Sequence, residues 1–183
     1  MLSEFILIQA IGFLGYALYS ASSFAKDKRQ NLIMEVATLS IIVVHWDLLD
    51  EMIFVFCNLI WMYFSLAGIV KDKYKGLGTL MLLSCVPLIL LSSLSQWKGS
   101  LIDYTILIGM YVTLASRYFT DEFNFRTVCI IASLFALFNV SWTASVPSVV
   151  FSVVFLVGHL RAGYKLLPES FVFYKRDVTV AAE

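Results

Sequence analysis

The chain has 183 residues, 60% of them hydrophobic and 14% charged, with 13 Lys and Arg balanced by 13 Asp and Glu. Its mean hydropathy is +0.85. A soluble domain is nearer half apolar and a quarter charged, so this composition lacks the polar surface to cover a soluble core. The zero net charge and the lack of a basic block exclude nucleic acid as a natural partner.

Apolar runs follow one another along the whole chain at 5–25, 31–46, 52–70, 77–95, 101–117, 127–143 and 146–163. A spanning helix needs roughly 20 apolar residues, so the sequence predicts seven transmembrane helices. The first run has Glu4 before it and Lys26, Lys28 and Arg29 after it. A cleavable signal peptide has the opposite polarity, so a retained helix is expected. The second run rises from that basic turn to "HWDLLDE", an acidic one. The fourth contains Pro87, where a kink is expected because Pro removes a helix hydrogen bond. The intervening connections are too short for soluble domains.

Charge sets the direction of threading. With the N-terminus outside, the inner segments hold Lys26, Lys28, Arg29, Lys71, Lys73, Lys75, Arg117, Arg126, Arg161, Lys165, Lys175 and Arg176, and the outer ones hold Lys98. The positive-inside rule then places the N-terminus in the periplasm and the C-terminus in the cytoplasm. The final residues "VTVAAE" are expected to be loosely ordered.

The runs also repeat. A shift of 94 positions brings Gly15 onto Gly109, Ala21 onto Ala115, Ser22 onto Ser116, Asp27 onto Asp121 and Lys71 onto Lys165. His45 falls on Asn139. The expected fold is an all-α membrane protein in a 3+1+3 arrangement. A first three-helix repeat occupies 1–76, a linker helix 77–100, a second repeat 101–166 and a cytoplasmic tail 167–183. The odd crossing of the linker places the two repeats in parallel, related by an axis along the membrane normal.

The stretches "IGFLGYALYSASSFAKDKRQNLIMEVATLSIIVVHW" and "CNLIWMYFSLAGIVKDK" resemble the YgjV family of bacterial inner-membrane proteins. That resemblance implies a multi-pass location in the inner membrane and no particular activity. More distantly, the layout is similar to SWEET sugar transporters and PnuC-type nicotinamide riboside transporters, which hold substrate between two three-helix bundles. SWEET relatives often carry Pro-Gln in the first helix of each bundle. Here neither 5–25 nor 101–117 contains Pro, which leaves the usual hinge without its residue. An asparagine on the third helix contacts substrate in SWEET-like proteins, and Asn58 occupies the matching place; Ser152 stands at the seventh-helix counterpart.

Polar side chains within the runs need partners, because hydrocarbon offers none. At about 100° per residue they form stripes: Glu35, Thr38 and His45; Asn58, Trp61, Ser65 and Gly68; Thr105, Gly109, Thr113 and Ser116; Ser148, Ser152, Phe155 and His159. Close helix packing accounts for the small-residue stripes, including Gly12 and Gly15. Asn58 with Trp61 admits either packing or a cavity, since an amide and a flat ring together suit a sugar or another hydroxylated ring. Asn139, Ser152 and Phe155 would face them from the second repeat. His45 is a candidate outer gate, its plainer role being an interfacial anchor beside Trp46. Interfacial anchoring is also the reading for His159, and for Glu35 a favourable place near a helix N-terminus.

No nucleophile elbow, metalloprotease helix or phosphate loop is present, so no enzyme is expected. Cys57, Cys85 and Cys129 read as buried free thiols, Asp47, Asp50 and Glu51 as a solvated turn. No cofactor or metal is implied, and the lipid bilayer is the expected partner. The expected function is transport of a small polar solute through a midplane site. The alternative is a non-transporting assembly partner or sensor.

Overall fold

The computed structural model describes residues 2–95, 98–143 and 145–167. Seven helices follow in order: α1 Leu2–Ser22, α2 Lys28–Leu48, α3 Met52–Lys73, α4 Lys75–Ser95, α5 Leu101–Ser116, α6 Glu122–Val140 and α7 Val146–Lys165. All except α5 are long and apolar enough to cross a membrane. With 16 residues, α5 reaches roughly 24 Å at 1.5 Å per residue. The expected disorder of "VTVAAE" lies outside the described residues.

Helix ends depart from the apolar runs where side chains cap them. Asp27 accepts a hydrogen bond from the Gln30 backbone N–H at 2.8 Å, so α2 starts at Lys28, inside the basic turn. Asp121 accepts one from the Asn124 backbone N–H at 2.8 Å, and α6 starts at Glu122, five residues before its run. Such caps satisfy the orphan donors of a first turn. Polar residues that hydropathy assigns to loops are therefore helical here. Ser100 and Asp103 form a reciprocal capping box at the start of α5. Asp50 takes a positive φ of 58°, which Asp tolerates better than most residues, and turns the chain sharply from α2 into α3. The helix α4 runs through Pro87 from Lys75 to Ser95.

Each helix packs on its neighbour in sequence, and α1 packs on α7, so α1, α2, α3, α5, α6 and α7 form a ring. The ring is looser between α3 and α5, and α4 packs across that seam. Phe64 and Ala67 of α3, Leu82, Cys85 and Ile89 of α4, and Ile106, Met110 and Leu114 of α5 fill it. Large apolar side chains such as Leu7, Leu80 and Leu91 are more than 60% exposed; on a chain of this hydropathy these are lipid contacts. The α1–α2, α3–α4 and α5–α6 turns share one end of the bundle, which carries the cations of the described residues other than Lys98 and is called the basic end below. The other end, with Asp50, Glu51 and Asp103, is the acidic end.

Candidate functional site

A cavity of about 80 Å³ lies inside the ring. Every ring helix contributes to its wall: Tyr19 from α1, Trp46 from α2, Asn58 and Trp61 from α3, Thr113 from α5, Asn139 from α6, Ser152 and Phe155 from α7. None of its lining residues carries a charge, and none comes from α4. The structure thus gathers Asn58, Trp61, Asn139, Ser152 and Phe155, spread over nearly 100 residues of sequence, around one space.

Ring packing shapes the wall. Tyr19 and Phe155 stack with centroids 4.5 Å apart, and Trp61 meets Tyr19 edge-on at 5.7 Å. Trp46 stacks on Phe54 at 4.4 Å and donates its indole N–H to the Tyr16 hydroxyl at 2.8 Å. The Asn58 amide N–H₂ donates to Phe54 O of its own helix at 2.6 Å, which leaves the amide oxygen to accept. The Thr105 hydroxyl donates to Asn139 Oδ1 at 2.6 Å. Trp61 Nε1–H and the Tyr19 hydroxyl are buried with no hydrogen-bond partner among the described residues. The residues of the wall therefore hold unpaired donors and an acceptor among aromatic rings.

Toward the acidic end a wider opening of about 320 Å³ adjoins the cavity. It is lined by Asp50, Glu51, Lys98 and Asp103, and it shares Phe54, Ile106 and Asn139 with the cavity. Those three residues are a thin partition between the two spaces.

His45 does not line the cavity. Its ring is fully buried beside Gly12 and Pro147. Nδ1 lies 3.0 Å from Ile8 O and Nε2 2.7 Å from Ser145 Oγ. A carbonyl can only accept, so Nδ1 carries the proton and Nε2 accepts from Ser145. The histidine ties α1, α2 and the N-cap of α7 together. Trp46 is equally buried. The interfacial His–Trp anchor is thus corrected: both rings point into the ring of helices, because each has a polar partner there.

The basic end holds Glu35, Arg117, Arg126 and His159, which the sequence set at helix ends and the structure buries. Glu35 is fully buried and its Oε2 accepts from Arg117 Nη2 at 2.5 Å and from the Ser65 hydroxyl at 2.7 Å. Arg117 is itself fully buried, between the rings of Phe64 and Phe125. The helix-dipole reading of Glu35 gives way to this ion pair. Arg126 Nη1 donates to Ser23 O at 3.0 Å, Nη2 to Ala25 O at 3.0 Å, and Nε to Glu122 at 2.6 Å. Arg126 Nη1 also meets His159 Nδ1 at 3.3 Å, so that nitrogen accepts and the neutral ring is protonated at Nε2. His159 is fully buried and no surface anchor. Lys28 and Lys71 hold the α5–α6 turn, Lys28 Nζ donating to Phe119 O at 2.8 Å and Lys71 Nζ to Tyr118 O at 2.9 Å.

The thiols are free: Cys85 and Cys129 are buried, and Cys57 is half-buried on the cavity wall. Among the described residues no three His, Cys, Asp or Glu side chains are grouped to hold a metal.

No curated protein and no solved structure matches the chain. A family model described as a bacterial inner membrane protein, Imp-YgjV, matches residues 6–169. With nearly the whole chain covered, and helices suited to that location, this multi-pass protein belongs to the YgjV family of bacterial inner-membrane proteins.

Proposed function

We propose that the protein moves a small, uncharged polar solute across the inner membrane, through the cavity between two three-helix repeats. The observation that carries this reading is the cavity wall, built by all six ring helices and not by α4. A site shared between two bundles changes its access when one bundle rocks against the other, as in transporters built from repeats. The repeats are 1–76 and 101–166, with the helix between them as linker. Two features support this division. The second helices of both triplets start behind equivalent aspartate caps. The α1–α7 seam also has its counterpart in the α3–α5 seam.

Asn58 and Trp61 bind solute from the first repeat, and Asn139, Ser152 and Phe155 from the second. An uncharged solute follows from a wall without ionic groups, because an unpaired ion there would lose its hydration without repayment. His45 acts as a gate through helix packing, as the pin joining α1, α2 and α7 near the acidic end. The N-terminus is periplasmic, so the wider opening faces the periplasm.

The test is uptake into proteoliposomes, screened over sugars, nucleosides and vitamins, with Asn58→Ala beside the native protein. Uptake that falls in the variant supports the site; normal uptake by Asn58→Ala removes it. A second reading, a non-transporting assembly partner or sensor, draws on the cavity volume. At about 80 Å³ it is smaller than the roughly 300–1,000 Å³ of most ligand pockets. That reading predicts no uptake and no binding of any solute in the screen.

A further inference from the structure

We infer that the structure is the form sealed at its basic end, with the Glu35–Arg117 ion pair as the central bond of the seal. The inference rests on the two-bundle transport reading and adds which end is shut and by what. The two ends of the cavity differ in kind. Toward the acidic end the partition is Phe54, Ile106 and Asn139, beyond which the opening widens to about 320 Å³. Among the described residues no ion pair crosses that partition. Toward the basic end, charged side chains join one triplet to the other. Glu35 of α2 and Ser65 of α3 hold Arg117, which follows α5. Lys28 and Lys71 grip the α5–α6 turn, while Arg126 of α6 grips the α1–α2 turn. Each triplet thus holds the inner turn of the other, and the buried pair lies at the centre.

The pair is built to part. Only Nη2 of Arg117 reaches the carboxylate; Nε, Nη1 and Glu35 Oε1 have no partner among the described residues. A forked guanidinium–carboxylate pair uses two parallel bonds and is stronger. A single bond between two buried ions holds the end shut without fixing it permanently. Arg117 stands at the end of α5, so a small movement of that end carries its guanidinium toward water.

Cys57 on the cavity wall provides the readout. With Cys85→Ala and Cys129→Ala in place, a membrane-impermeant thiol reagent is applied to vesicles from either face. The expected result is faster modification of Cys57 from the face bearing the acidic end than from the face bearing the basic turns. The Glu35→Gln/Arg117→Gln double variant leaves no uncompensated buried charge, so it keeps the fold. It should raise modification from the basic face by about tenfold, the shift that loss of a bond of about 1.4 kcal/mol gives. Equal modification from both faces of the native protein, or a double variant still protected from the basic face, overturns the seal. Labelling requires no transport. Opening by the double variant without uptake of any solute would leave the seal standing and remove the transport reading alone.

Discussion

Asp27 and Asp121, 94 residues apart, cap α2 and α6 in the same way, each accepting the backbone N–H three residues on at 2.8 Å. Loss of the Asp27 side chain in Asp27→Ala should cost about 1 kcal/mol, while Asp27→Asn, which keeps an acceptor, should be near neutral. Thermal unfolding in detergent reads both. Asp121 adds a pH signature. The Asn124 backbone N–H, then its side-chain amide, hold the Asp121 carboxyl below its ordinary range. A depressed folded-state value stabilises above the unfolded value and loses that contribution as pH falls through the folded one. Unfolding scans from pH 6 downward should therefore show a stability loss in the native protein that Asp121→Asn does not share below about pH 4.

At Gly12, α1 passes close to His45 of α2 and Pro147 of α7. A Cβ there would lie 2.6 Å from His45 Cε1 and 2.7 Å from both His45 Nδ1 and Pro147 Cγ. Gly12→Ala should push the imidazole off Ile8 O and destabilise by about 1–3 kcal/mol, as overpacking does. Gly76, at the start of α4, meets nothing within 4 Å. Gly76→Ala should be neutral or stabilise by up to about 0.8 kcal/mol, the helix-propensity gain. Equal effects at the two glycines would mean that α1, α2 and α7 do not meet as described.

The helices and the cavity-facing residues were legible because helical periodicity is local. Asn58 and Trp61 fall on one face of the third run, Ser152 and Phe155 on one face of the seventh, and those faces turn to the common cavity. Helix starts were less legible, since Asp27 and Asp121 extend α2 and α6 into turns that hydropathy scores as polar. The ion pair was hidden because Glu35 and Arg117 are 82 residues apart, and no spacing rule joins them. A signal existed all the same. Arg117 lies four residues after Thr113, so the inward stripe of the fifth run, continued by one turn, reaches it. The charge count set that cation at the inner end of the fifth run; burial against Phe64 and Phe125 sets it inside the bundle.

The cations predict the orientation. Reporters fused after Glu183, or inserted in the α3–α4 turn near Tyr74, should report the cytoplasm. One inserted in the α2–α3 turn near Asp50 should report the periplasm. The expectation rests on the positive-inside rule and on the basic turns sharing one end of the bundle. A periplasmic signal after Glu183 would invert the threading and turn the wider opening toward the cytoplasm.

The Glu35–Arg117 pair should dominate single-site stability at the basic end. Arg117→Gln leaves a buried carboxylate without a cation, and Glu35→Gln leaves a buried guanidinium without an anion. Breaking a buried pair from one side costs about 3–5 kcal/mol. Both residues are almost wholly inaccessible, so solvent screening brings little discount. The Glu35→Gln/Arg117→Gln double variant removes both charges and so leaves neither partner as an uncompensated buried ion. It should lose less than the sum of the single losses, with a coupling energy of about 1–3 kcal/mol. Unfolding of all four proteins in the same detergent gives the cycle. Additive losses would show that the two side chains do not act as a pair, and the seal would then lose its central bond.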